Sequence, residues 1–170
     1  MVDEAGRDEL SLGDLAERLG VQPSAIYNHV DGIDALRHQL AVLATHNLAD
    51  VLRSALVARS GADAIRALAG AHRRFAQDHA GQYASTLLPP DDRSDELASA
   101  QGAVTDLFVL LMESGGLSGD DAVHTARLVR STLHGFVSLE SIDALTQPHD
   151  RELSFERLVD MLLAHLPATP

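Results

Sequence analysis

The segment Ser11–Leu36 reads SLGDLAERLGVQPSAIYNHVDGIDAL and carries the pattern of two short helices joined by a tight turn. Ser11 and Asp14 have the spacing of a capping box, so the first helix is predicted to begin there. Its apolar residues fall on one side: Leu12, Leu15 and Leu19. Gly20 follows at the position where a helix ends in a left-handed residue.

A second helix is predicted over roughly Pro23 to His29. Proline is favoured as a first helical residue, because its missing N–H is not needed there. Ile26 and Val30 point back at the leucines of the first helix, and Val21 fills the turn. This pattern is typical of a helix-turn-helix, whose second helix enters the major groove of DNA.

The outward side of the second helix offers small polar groups and one aromatic hydroxyl. It consists of Gln22, Ser24, Ala25, Tyr27, Asn28 and His29. Because such groups can bond phosphate oxygens and base edges, these are the candidate DNA-binding residues. Beyond them, Asp31 and Asp34 predict another capping box and the start of a long helix.

The run Tyr27-Asn28-His29-Val30, followed by Asp34-Ala35-Leu36, resembles the end of the recognition helix in the TetR family of one-component transcriptional regulators. The later run Leu133-His134-Gly135 is similar to a His-Gly signature in the C-terminal domain of one TetR subgroup. The resemblance implies that the tyrosine and the histidine contact the DNA backbone and that the start of the helix reads bases. It also implies a repressor that binds operator DNA and is released by a small effector.

The head departs from that family in its first helix and in its charge. Only Val2 to Gly6 is available as the last turn of the first helix, which we therefore expect to be largely missing. Ile33 stands where the family often has a phosphate-binding lysine, and the chain has a net charge of −12. Because DNA affinity comes largely from neutralised phosphates, an alternative stays open. It is a dimeric small-molecule-binding or interaction protein whose truncated head does not bind DNA.

The rest of the chain has the pattern of a helical body. Helices are predicted at about 32–59, 62–79, 94–114, 118–144 and 154–167, with Ser94, Ser118 and Ser154 as N-caps and Gly81 as a break. No strand pattern or internal repeat occurs. The sequence predicts an all-α protein, with a helix-turn-helix DNA-binding domain at 1–44 and an effector-binding and dimerisation domain at 45–170.

The last two long helices, at about 119–144 and 155–166, carry more apolar surface than one partner covers. At about 100° per residue, the earlier helix has two apolar faces: Ala126, Val129, Leu133, Phe136 and Val137 on one, and Leu128, Leu139 and Ile142 on the other. We expect the same helices of a second copy to cover the excess in a homodimer, as in TetR proteins. A deeply buried core within one chain is the alternative.

Effector binding is expected inside this body. The predicted lining mixes aromatic, apolar and polar groups: His72, Phe75, Tyr83, Phe108, Leu111, Met112, Phe136 and Glu140. Such a cavity suits a small lipophilic molecule with one or two polar groups. The alternative is ordinary core packing, and for Glu140 an ion pair with Arg73, Arg74 or Arg130. Gly135, inside a helix, indicates the close approach of another backbone or a ligand.

Composition and motifs exclude several classes of protein. The chain has no cysteine, and therefore neither disulfides nor thiolate metal sites. It has no long apolar run and no secretory signal pattern, which argues against a membrane protein and fits the cytoplasm. His72 and His79 lie about 10 Å apart on one helix, too far to share a metal. No nucleophile, zinc or phosphate-loop motif occurs, so neither an enzyme nor a cofactor is predicted.

Overall fold

The computed structural model describes residues 2–5, 10–89 and 95–166. These described residues form nine α-helices and no strand, which confirms the all-α prediction. The helices are α1 (Val2–Ala5), α2 (Leu12–Leu19), α3 (Pro23–Tyr27), α4 (Ile33–Leu56), α5 (Gly61–Asp78), α6 (Ala80–Ser85), α7 (Asp95–Ser114), α8 (Gly119–Ser141) and α9 (Arg151–Ala164). No helix in the described part of the chain is long and apolar enough to cross a membrane.

The helix-turn-helix forms as its local sequence predicts. The Ser11 hydroxyl accepts a 3.1 Å hydrogen bond from the Asp14 N–H and caps α2. Gly20 follows α2 with a φ of +67°, which glycine adopts without a side-chain clash. Helix α3 begins at Pro23, as predicted, and ends at Tyr27, two residues earlier than expected.

The cap predicted for α4 is wrong. Gly32 occupies the N-cap position with a φ of +89°, and no side chain caps the helix. Asp31 and Asp34 therefore form no capping box. The left-handed glycine between them redirects the chain into α4 and takes the position that the box would need.

The cap predicted for α9 is also wrong. The Asp150 carboxylate accepts hydrogen bonds from the N–H groups of Glu152 and Leu153, at 2.8 and 3.4 Å, so α9 begins at Arg151. Ser154, the predicted cap, lies inside the helix. An aspartate four residues earlier already satisfies the free N–H groups of the first turn.

Further predicted boundaries differ from the structure or lie outside the described residues. The break occurs at His79, and Gly81 lies inside α6. Ser118 takes the N-cap position of α8 without a side-chain hydrogen bond, and that helix ends at Ser141. The predicted cap at Ser94 and the predicted helix ends at Gly6 and Pro167 lie outside the described residues.

The head has a small core of its own. Leu12, Ala16 and Ile26 are buried together. Three half-buried residues pack against them: Leu15, Ile33 and Leu36. Ile33 therefore serves the packing of the head, since its side chain joins the head core at the position where the family often has lysine.

The main core lies among α4, α5, α7, α8 and α9. Its largest fully buried side chains include Leu52, Leu68, Phe108, Met112 and Leu133. Full burial of such a side chain stabilises the fold by about 1.5–3 kcal/mol. The predicted domain division after Ala44 falls within the continuous helix α4, and it stays a prediction.

Helix α1 packs directly on α6. A Cβ atom on Gly81 would overlap the carbonyl oxygen of Val2, so only glycine permits this approach. The first described helix is thereby held against the body of the protein.

Candidate functional site

The predicted DNA-contacting residues share the outward side of α3. Gln22, Ser24, Asn28 and His29 are exposed, and the Tyr27 side chain is 60% exposed. Ala25 is half-buried. On the opposite side of α3, Ile26 is buried in the head core, which fixes the orientation of the helix. The outward side thus presents a phenol hydroxyl, two amides, an imidazole and a hydroxyl, all able to bond phosphate oxygens or base edges.

An interior polar cluster joins three helices of the body. The Tyr83 hydroxyl on α6 lies 2.8 Å from Nδ1 of His134 on α8 and 3.3 Å from Nε2 of His72 on α5. The Ser138 hydroxyl lies 3.3 Å from the same Nδ1 of His134. The Phe108 ring on α7 stands edge-on to His72, with ring centroids 6.4 Å apart.

Burial keeps this cluster uncharged at neutral pH. It lowers the pKa of His72 to about 4 and raises the pKa of Tyr83. Burial also lowers the pKa of His134, and the nearby Arg130 guanidinium lowers it further. The imidazoles and the phenol are therefore neutral hydrogen-bonding groups.

Arg130 on α8 completes this interior site. Its side chain is half-buried, and its Nη1 donates a 2.9 Å hydrogen bond to the Thr105 hydroxyl on α7. Burial lowers the pKa of Arg130. Sequence reasoning considered Arg130 only as a partner of Glu140 and gave His134 no site role. The available signal was that Arg130, His134 and Ser138 recur every four residues along one side of α8.

The other predicted effector-binding residues have different neighbours. Phe75 packs against His79 and lines a groove between α4 and α5. Leu111 and Met112 are buried in the core beside a cavity of about 20 Å³ that Leu166 also lines. The structure thus brings His72, Tyr83 and Phe108 into direct ring contact. Phe75, Leu111 and Met112 belong to the same apolar core but not to the polar cluster.

Phe136 and Glu140 both lie against the Arg73 guanidinium, Glu140 as an ion pair and Phe136 as an aromatic neighbour. Both Nε and Nη2 of Arg73 donate to the Glu140 carboxylate, at 2.9 and 2.7 Å, and Nη1 donates to Glu152 at 2.7 Å. The Arg73 guanidinium also lies 4.5 Å from the Phe155 ring centroid and 5.6 Å from that of Phe136. The ion pair considered for Glu140 is therefore confirmed, with Arg73 as the partner. The hydrogen bonds from Arg73 hold the pKa of Glu140 below its usual value.

The two apolar faces predicted for α8 have different surroundings. Ala126, Val129, Leu133 and Val137 are buried in the core of the chain. Leu128, Leu139 and Ile142 point away from that core and are 66, 47 and 73% exposed. Gly135 lies on the same outward side, and a Cβ atom there would meet nothing within 4 Å. Another helix could therefore approach α8 closely at Gly135.

Several known proteins are similar to this chain in sequence. The family described as tetracyclin repressor-like, C-terminal domain, matches residues 65–162. The HTH-type transcriptional regulator YobS of Bacillus subtilis (strain 168) is 35% identical over 157 residues, which are 91% of this chain and 82% of YobS. The HTH-type transcriptional regulator Rv0681 of Mycobacterium tuberculosis (strain ATCC 25618 / H37Rv) is 33% identical over 141 residues, 82% of this chain and 64% of Rv0681.

The fold is also similar to a solved structure. The TetR family transcriptional regulator PfmR of Thermus thermophilus has a TM-score of 0.72 and 21% sequence identity. The match covers 96% of this chain and 92% of PfmR. At this identity the similarity concerns the fold alone.

Proposed function

Since the chain belongs to the TetR family of transcriptional regulators, we propose that it is a cytoplasmic repressor that binds operator DNA as a homodimer and is released by a small lipophilic effector. TetR regulators bind DNA and usually act as dimers, and the family is not enzymatic. The assignment of this chain to the His-Gly subgroup stays a prediction.

The outward side of α3 is the observation that carries the DNA-binding proposal. Its exposed groups lie opposite the packed head core, so that docking α3 in a major groove would leave the head undisturbed. The residues proposed to contact DNA are Gln22, Ser24, Ala25, Tyr27, Asn28 and His29. This set contains no lysine or arginine, so its contacts would be hydrogen bonds that position the head on the DNA.

The outward side of α8 supports the homodimer. Leu128, Gly135 and Ile142 recur at intervals of seven residues, which places them in one stripe along α8. A two-fold axis through this stripe would bury the exposed leucine and isoleucine side chains against their copies. The proposed interface consists of α8 with α9, and it would present two α3 helices to one palindromic operator.

The effector is proposed to bind beside His72, Tyr83 and Phe108. These residues converge from α5, α6 and α7, and α4 packs against all three of those helices. A ligand held there would change the packing of α4, which continues from the body to the head. A shift of α4 would alter the separation of the two α3 helices in the dimer and lower operator affinity.

A gel-shift titration with the DNA that flanks the gene, at a fixed salt concentration of about 0.1 M, tests this function. We expect Tyr27→Ala to weaken binding about tenfold, because it removes the exposed hydroxyl of α3. Gln39→Ala, at an exposed position on α4, is the control and should bind as the wild type does. If Tyr27→Ala bound the DNA as tightly as the wild type does, α3 would not be part of the DNA interface. A wild-type chain that binds no DNA would favour the alternative, a dimeric ligand-binding protein.

A further inference from the structure

In the described part of the chain, Arg130 differs from the other arginines that are not exposed. Buried Arg73 has two carboxylate partners, Glu140 and Glu152. Half-buried Arg37 pairs with Asp34 at 3.9 Å, and half-buried Arg151 pairs with Asp143 at 3.0 Å. Among the described residues, no carboxylate lies within 4.0 Å of Arg130, whose one hydrogen bond goes to the neutral Thr105 hydroxyl.

The neighbours of Arg130 do not neutralise its charge. The groups that its guanidinium influences electrostatically are His72, Tyr83 and His134, which are all neutral. The site therefore carries the single positive charge of the half-buried Arg130 guanidinium. A charge that is partly removed from water without a counter-charge costs free energy. An anion that entered the site would offset this cost.

The same site has unused hydrogen-bonding capacity. His72 is 3% exposed, and among the described residues its Nδ1 has no hydrogen-bond partner. The Tyr83 hydroxyl and the His134 ring can exchange their mutual bond for bonds to a ligand, since both can donate. Phe108 supplies an apolar wall beside these groups.

We propose that the effector carries a carboxylate, which pairs with Arg130 and accepts hydrogen bonds from Tyr83 and His134, while its apolar part lies against Phe108. This inference rests on the proposed effector-binding function and names the class of effector. A carboxylate matches the single guanidinium in charge and can bind it through two parallel hydrogen bonds. A phosphate dianion would leave one negative charge buried without a partner.

Matched acids and neutral esters test the proposal. The probes are decanoate with methyl decanoate, and naphthalene-2-carboxylate with its methyl ester, each titrated into the full chain by calorimetry. We expect at least one acid to bind about tenfold more tightly than its ester. Arg130→Gln should remove that difference, because it deletes the charge. The control Arg127→Gln removes an exposed arginine from the same helix and should bind both members of each pair as the wild type does.

A second measurement uses the wild type alone and does not depend on the folding of the variant. Burial lowers the pKa of both His72 and His134, and the Arg130 guanidinium lowers both further. A carboxylate paired with Arg130 should therefore raise the pKa of both imidazoles in an NMR titration, and the ester should leave them unchanged. An acid that binds without moving either pKa would contradict the proposed site.

The remaining outcomes separate this inference from the proposed function. If an acid and its ester bound equally tightly, and Arg130→Gln changed neither affinity, the inference of a carboxylate would be wrong. The effector would then be a neutral lipophilic molecule. A chain that shifts its operator DNA but binds none of the four probes would overturn the carboxylate inference and leave the regulator intact. A chain that binds an acid through Arg130 but binds no DNA would support the inference within the ligand-binding alternative.

Discussion

The carboxylate of Asp3 accepts a 2.8 Å hydrogen bond from the backbone N–H of Gln82, which ties α1 to α6. The Gln82 side chain extends this contact in two directions. Its Nε2 donates to Asp3 at 3.0 Å, and its Oε1 accepts from Asn47 on α4 at 2.9 Å. The next residue, Tyr83, belongs to the interior polar site. One short helix therefore connects that site with both α1 and α4.

We predict that Gln82→Ala loosens α1 with little effect on the main core. The substitution removes two side-chain hydrogen bonds, each worth about 0.5–1.5 kcal/mol. Hydrogen exchange of the backbone amide at position 82, which is bonded to Asp3, should become up to about tenfold faster when followed by NMR. The matched control is Gln101→Ala, since that amide bonds the Thr86 and Leu88 carbonyl groups and does not touch α1. Equal acceleration of that amide in both variants would show that the Gln82 side chain has no specific role.

The Arg73 network should stabilise the packing of α5 with α8 and α9. We predict that Arg73→Met lowers the free energy of unfolding by roughly 3 kcal/mol, because it leaves the Glu140 carboxylate buried without its partner. Glu152→Gln should cost less than about 1 kcal/mol, since the Glu152 side chain is 65% exposed. Urea denaturation at pH 7 measures both values.

The double variant Arg73→Met, Glu140→Met is the control for this mechanism. It should recover most of the loss, because no unpaired charge then remains in the packed region. A double variant less stable than Arg73→Met would show instead that packing around the methylene groups and the Phe155 ring dominates.

The stability of the protein should depend on pH through His72. Unfolded His72 binds a proton below its ordinary pKa of 6.5, whereas the folded chain binds one only below about 4. The unfolded state therefore gains protons first as the pH falls, and the protein loses stability between pH 6.5 and pH 4. Between pH 7 and pH 5 this loss amounts to roughly 2 kcal/mol.

Urea denaturation of His72→Gln at the two pH values isolates that contribution. We expect the variant to lose less stability than the wild type on acidification, even if it starts from a lower value at pH 7. The groups that face His72 are Tyr83, His134 and Arg130, and all of them remain in the variant. The matched control is His124→Gln, at an exposed imidazole that makes no ion pair with the described residues, and it should retain the wild-type dependence. If His72→Gln lost as much stability as the wild type between pH 7 and pH 5, His72 would not be the source of the pH dependence.

Local signals in the sequence predicted the helices and the head well. The Ser11 cap, the left-handed Gly20 and the start of α3 at Pro23 depend on residues within one turn of each other, and all three are confirmed. The caps of α4 and α9 were wrong because Gly32 and Asp150 compete with the predicted residues. Such competition between adjacent caps is decided by the path of the whole chain.

The interior site was predicted only in part, since its members are distant in sequence. Tyr83 and His134 are 51 residues apart, and Arg73 and Glu140 are 67 residues apart. Helix periodicity shows which residues face inward, but not which neighbour each one meets. It could therefore name three possible arginines for Glu140 without choosing one, and it did not place Arg130 in the interior site.

The outward side of α8 yields the last prediction, that Leu128→Glu converts a dimer into a monomer. Leu128 is 66% exposed in one chain, so a single chain should tolerate glutamate there. In the dimer the same carboxylate would be buried against its copy, and the charge would cost several kcal/mol. Size-exclusion chromatography with light scattering measures the mass, and circular dichroism confirms that the helices remain.

Leu110→Glu on α7 is the matched control, because Leu110 is 59% exposed and lies on another helix. It should leave the mass of the dimer unchanged. Gly135→Leu tests the close approach of the two helices: the added side chain meets no atom of its own chain within 4 Å at Cβ, yet it should separate two helices that touch at this glycine. Dissociation by Leu110→Glu but not by Leu128→Glu would move the interface from α8 to α7. The proposed interface of α8 with α9 would then be wrong, whereas the fold of the single chain would stand.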